Sequence, residues 1–110
     1  MFQILNFEVP AGGKEIIDDQ LKSEYEGITG LTVWTPEYED MRLISIELDI
    51  DDVEIFPANF PAELFSSNMF RNTDDCMLKA DFPKNSRITG SIANDNGKTV
   101  NISLIFFVKL

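Results

Sequence analysis

Arg42-Leu43-Ile44-Ser45-Ile46-Glu47-Leu48-Asp49-Ile50 is the stretch that decides the fold class. Ile44, Ile46, Leu48 and Ile50 alternate with Ser45, Glu47 and Asp49, a step of two that puts four aliphatic side chains on one face and polar groups on the other. A helix would scatter those residues around its circumference, so the segment from Arg42 to Ile50 is predicted to be a half-buried strand. A polar loop at 37–40 leads into it and the acidic turn Asp51-Asp52 ends it.

The same period runs outward in both directions. Leu5, Phe7 and Val9 alternate with Asn6 and Glu8, and Pro10-Ala11-Gly12-Gly13 supplies a turn before a short segment around Glu15-Ile16-Ile17. Gly27 to Thr35 is rich in β-branched and aromatic residues and stops at Pro36, which cannot donate to a ladder. Downstream, Val53 to Phe56 and Met77 to Phe82 read as brief strands. Arg87 to Ala93 and Lys98 to Lys109 flank Asn94-Asp95-Asn96-Gly97, where the Asn-Gly pair predicts a hairpin.

One helical insertion is expected near residues 61–66, with Pro61 in its first turn and Glu63 at the positive end of its dipole. Phe56, Phe60, Phe65 and Phe70 around it predict a plug closing one end of the fold. Short strands at these intervals give an all-β chain, an antiparallel β-sandwich formed by one domain over residues 1–110. Alternation alone leaves a jelly roll and an immunoglobulin-like sandwich equally open.

A chain of 110 residues with 44% hydrophobic content can bury one core and has no room for two. It contains no histidine, which removes the commonest general base, the Ser-His and Cys-His nucleophile pairs and the usual ligand of catalytic zinc. No enzymatic activity is expected, and no catalytic, cofactor-binding or metal-ligating residue is assigned. Cys76 is the sole thiol and reads as a small buried apolar residue.

Met1 is followed by no basic region or apolar stretch of signal-peptide length, so export through a cleaved leader is not expected. The longest apolar run, Leu104 to Val108, is five residues, far short of the roughly 20 needed to span a bilayer, so no membrane insertion is expected. The net charge is −10, and it is uneven. Residues 1–55 hold 14 acids against 3 bases, while residues 56–110 hold 5 against 6. An acidic chain of this kind repels polyanions, so nucleic acid is not an expected partner.

The closing strand carries the strongest sign of an interface. Val100, Ile102, Leu104, Phe106 and Val108 share one face, yet Ile105 and Phe107 make the other face apolar too. Either a loop of the same chain covers Ile105 and Phe107 or another subunit does, because such a face left open promotes aggregation.

Other constellations are weaker. Asp49, Asp51, Asp52 and Glu54 form an oxygen-rich cluster, but Val53 stands where an EF-hand loop would place its third ligand, and cation binding is left open. Trp34, Tyr25 and Tyr38 could line a sugar site, the basis for an alternative carbohydrate- or protein-binding module. Asn101-Ile102-Ser103 is a glycosylation sequon that matters only in a secretory pathway.

Arg42 to Ile50, the following Glu54-Ile55-Phe56-Pro57, the insertion Phe60-Pro61-Ala62-Glu63-Leu64 and the segment 87–109 together resemble the small single jelly-roll capsid proteins, of penton type, found in tailless icosahedral bacteriophages. The resemblance covers about two thirds of the chain and consists of strand order and texture. It implies a single jelly roll of eight antiparallel strands in two sheets. It also implies a virion protein made in the host cytoplasm, which works as a homo-oligomer beside copies of itself and a larger capsid protein. At this length the loops of an eight-stranded fold would be short, and six or seven strands would also fit.

Overall fold

The structure, a computed structural model, describes the backbone of residues 1–36, 38–67 and 78–110 and the side chains of 1–36, 41–63 and 78–110. Its strands are β1 (Phe2–Val9), β2 (Lys14–Gln20), β3 (Gly27–Trp34), β4 (Ile44–Ile50), β5 (Val53–Pro61), β6 (Ser66–Ser67), β7 (Leu78–Pro83), β8 (Arg87–Asn94) and β9 (Val100–Lys109). Two 3-10 helices, Tyr38–Leu43 and Ala62–Phe65, interrupt them. Among the described residues no helix is long and apolar enough to cross a membrane.

Pairing follows one rule. β4 pairs with β5, β3 with β7, β2 with β8 and β1 with β9, all antiparallel, so the chain forms one long nested hairpin folded at Asp51-Asp52. Additional antiparallel pairing of β3 with β9 and β4 with β8 rolls that hairpin into two sheets, β1-β9-β3-β7 and β2-β8-β4-β5. Two four-stranded sheets interleaved in this manner are the connectivity of a jelly roll, an antiparallel sandwich. β6 adds a two-residue parallel contact to β3 through Val33↔Ser66 and Trp34↔Ser67.

The reversal point is built from its own residues. Asp51 and Asp52 have φ of 51° and 64°, the paired left-handed conformation of a two-residue hairpin turn, which Asp tolerates better than most side chains. Between the sheets lies one apolar core. Ile44, Ile46, Leu48 and Ile50 of β4 face Ile102, Leu104 and Phe106 of β9 across it, each no more than 2% exposed. The inward set of β9 therefore packs as its alternation indicates.

Several expectations need correction. β4 starts at Ile44 rather than Arg42, because Tyr38–Leu43 forms a 3-10 helix that buries Met41 completely. β5 continues beyond Phe56 to Pro61; it is an edge strand whose register slips opposite Glu47, and the bulge accommodates Pro57 and a left-handed Asn59. The helical insertion is present as the single 3-10 turn Ala62–Phe65, with Pro61 ending the strand before it.

The predicted hairpin at 94–97 does not form. β8 and β9 belong to opposite sheets, and residues 95–99 cross between them. The fully buried Asn94 holds this corner: its Nδ2 donates to Val9 O at 3.0 Å, Lys98 O at 2.9 Å and Pro10 O at 3.3 Å. Its Oδ1 accepts from Asn96 N at 2.8 Å. Of the proposed plug, Phe56 is buried and stacks on Phe60 with ring centroids 4.8 Å apart, whereas Phe65, Phe70 and Cys76 lie outside the described side chains.

Candidate interaction surface

Each sheet has one face in the core and one facing out, and the two outer faces differ in chemistry. On β2-β8-β4-β5 the paired residues Asp18↔Thr89, Asp49↔Thr89, Glu47↔Ser91 and Ser45↔Ala93 fall on the outer side, with Arg87 reaching Asp18 at 2.7 Å. That face is mainly polar, with Asp18, Glu47, Asp49 and Glu54 against Lys14 and Arg87, and Ile16 is the exposed aliphatic side chain among them.

The outer face of β1-β9-β3 is apolar over its middle. Strand register places Phe2 opposite Phe107 and Ile4 opposite Ile105 on β1 and β9, and Thr32 opposite Ile105 on β3. Ser103 stands between Asn6 and Trp34. Phe2 and Phe107 meet edge to face with centroids 5.0 Å apart, a geometry aromatic pairs favour. Phe2 and Ile4 are 48% and 51% exposed, while Ile105, Phe107 and Trp34 are half-buried. Ile4, Asn6, Trp34, Ser103 and Ile105 line a shallow depression of about 330 Å³.

Ile105 and Phe107, the two residues predicted to need cover, thus lie together in one apolar strip. Phe2 and Ile4 belong to the same strip and were missed by sequence reasoning, although they alternate with the inward Gln3 and Leu5 just as Ile105 and Phe107 alternate with Leu104 and Phe106. The strip is bordered by polar groups: Ser103 Oγ lies 2.6 Å from Asn6 Oδ1, and Lys109 Nζ 2.9 Å from Asp81 Oδ1.

The acidic cluster has a structural role. Asp51 Oδ1 accepts from Arg87 N at 2.8 Å, Asp51 Oδ2 lies 2.9 Å from Ser86 Oγ, and Asp51 N donates to Arg87 O at 2.9 Å. These bonds fasten the β4–β5 turn to the start of β8. Asp49 and Glu54 sit opposite each other on β4 and β5, and among the described residues no three such groups converge as a metal site would require.

Nor do the aromatic residues assemble. Tyr25 is 8% exposed and packs in the core, so it cannot stack on a ligand beside Trp34; the side chain of Tyr38 lies outside the described set. Asn101 of the sequon is exposed at the end of the apolar strip. No family model matches the chain, and no curated protein is significantly similar to it in sequence.

Proposed function

We propose that this chain is a structural virion protein, a jelly-roll capsid or vertex subunit that acts through contacts with copies of itself and with a larger capsid protein. The observation that carries the reading is the apolar strip of Phe2, Ile4, Ile105 and Phe107 on the outer face of one sheet. Soluble monomers rarely leave a contiguous apolar patch on a flat sheet, and a partner protein is the usual reason for one. The nested strand order supports the resemblance drawn from sequence, because it is the connectivity that a single jelly roll has. Quantitative mass spectrometry of gradient-purified particles, from a lysate in which the gene is expressed, tests the reading. The protein should copurify at a fixed ratio to the major capsid protein, and its absence from intact particles refutes the role.

The depression beside Trp34 favours a second reading, a carbohydrate- or protein-binding module. It predicts that a saccharide bound there quenches the single tryptophan, and an unchanged Trp34 emission across a glycan panel removes it.

A further inference from the structure

Among the described residues the two sheets have four edges between them, and three are guarded against pairing. β5 carries Pro57, Pro61 and a register slip; β7 carries Lys79, Pro83 and pairs with β3 across a bulge; β2 carries Lys14, Glu15, Asp18 and Asp19. Charges, prolines and bulges on an edge are what keep it from recruiting another strand. β1 has no proline and no bulge, and only one charge: Phe2-Gln3-Ile4-Leu5-Asn6-Phe7-Glu8-Val9 is regular over eight residues, and Glu8 is the one charged side chain in residues 1–13.

The parity of β1 is fixed by one bond. Val108 N donates to Met1 O at 3.2 Å, so residues 1 and 108 form a hydrogen-bonded pair, as do 3 and 106, 5 and 104, 7 and 102 in the alternation of an antiparallel ladder. Phe2, Ile4, Asn6 and Glu8 therefore direct their main-chain N–H and C=O groups away from β9, toward the open edge. Among the described residues none bonds to the main chain of these four on that side. A second observation concerns the core: Leu5 and Phe7 point inward yet are only half-buried, so the core is partly uncovered at the middle of this edge, between the buried Gln3 and Val9.

We propose that β1 is a homodimerisation edge, at which two copies of this chain pair antiparallel across a two-fold axis and join their β1-β9-β3-β7 sheets into one. A second copy is the occupant because the edge complements itself. Centring the pair on Leu5 places Phe2 opposite Glu8 of the second copy and Ile4 opposite Asn6, which engages all four free residues and keeps each side chain on the correct face of the pleat. The two Glu8 carboxylates then stand at opposite ends of the pair. For a chain of net charge −10, the least charged surface is the one on which two copies can approach. The pairing also makes the two Phe2–Ile4 strips continuous and completes the burial of Leu5 and Phe7.

This dimer is isologous and independent of the virion reading, since it concerns the free protein. The test is sedimentation velocity at about 0.5 M NaCl, where repulsion between the acidic β2 strands at the same rim is screened, combined with amide exchange by NMR at two protein concentrations. The expected result is a concentration-dependent dimer in which the amides of Ile4, Asn6 and Glu8 gain at least tenfold protection. The amides of Gln3, Leu5 and Phe7, already bonded to β9, should not change. Asn6→Pro, which removes an edge donor without touching the β9 ladder, and Ile4→Lys should each give a folded monomer. A wild-type protein that stays monomeric at millimolar concentration overturns the proposal. So does an oligomer of any size in which the Ile4, Asn6 and Glu8 amides stay unprotected, and that readout needs no variant to fold.

Discussion

Replacing Gly90 by alanine probes the centre of the fold, because Gly90 pairs with Leu48 of β4 on one side and Ile17 of β2 on the other. Its φ is +154°, outside the range that L-residues adopt comfortably, and a Cβ built there would lie 2.0 Å from Glu47 O and 3.0 Å from Leu48 Cα. Relieving that contact to an ordinary 3.4 Å requires β4 to retreat from β8 where four core residues of β4 are held. Backbone strain at such a φ costs about 1–3 kcal/mol and overpacking about 1–3 kcal/mol more, so Gly90→Ala should destabilise by roughly 3–5 kcal/mol. A domain of this size is stable by about 5–15 kcal/mol and has a urea m-value of about 1–3 kcal/mol/M, so the midpoint should fall by roughly 2 M. Urea titration followed by the emission of Trp34, the single tryptophan, measures it. Gly97→Ala is the control, since its Cβ would meet nothing within 4 Å and its φ is not left-handed; its midpoint should be unchanged or slightly raised. A Gly90→Ala midpoint within about 0.5 M of wild type would refute the argument, given the m-value above.

Asn94→Ala should cost about 2–4 kcal/mol in the same titration, because it empties a fully buried amide site and strips partners from the buried Val9 carbonyl and the part-buried Lys98 carbonyl that close the crossing between sheets. Asp51→Ala should cost about 1–3 kcal/mol through loss of the bonds to Ser86 and Arg87. Asp52→Gly, on the same turn, should instead raise stability by about 0.5–1 kcal/mol, since glycine takes its φ of 64° without strain. Phe107→Ser should cost about 1–2 kcal/mol by removing a half-buried ring and its contact with Phe2, and under the proposed capsid role it should also deplete the folded protein from purified particles.

What was legible in the sequence is what a period of two can encode. The inward faces of β4 and β9 follow from Ile44 to Ile50 and Val100 to Val108 alone, and the pairing of apolar Ile105 and Phe107 on the outer side could be read from the same alternation. Which sheet a strand joins is decided by contacts distant in sequence. Asn94 through Gly97 has the composition of a hairpin turn, but Asn94 spends its side chain on Val9, 85 residues away, and no local signal marks that choice. Pro57 reads as a strand breaker only if β5 is central; on an edge, with a bulge beside it, the missing N–H is harmless. β1 escaped full reading for a third reason: at its start Phe2 and Ile4 face outward while Gln3 and Leu5 face inward, and alternation loses contrast where the outer face is as apolar as the inner one.

The charge imbalance along the sequence also changes meaning once the strands are nested. A first half of −11 beside a second half of +1 suggests a protein with an acidic side and a neutral side. Nested pairing instead places a strand of the acidic half beside a strand of the other half in both sheets, and cross-half pairs follow: Arg87 with Asp18 at 2.7 Å and Lys84 with Glu26 at 3.6 Å. These pairs are exposed, and such pairs are worth about 0–1 kcal/mol each, so they disperse charge more than they hold the fold together. Among the acids left over, Glu47, Asp49 and Glu54 lie on the outer face of β2-β8-β4-β5, where water is their natural neighbour. Association is thereby directed away from that sheet. The surface left for it is the one where first-half and second-half strands meet with almost no charge between them, along β1 and β9.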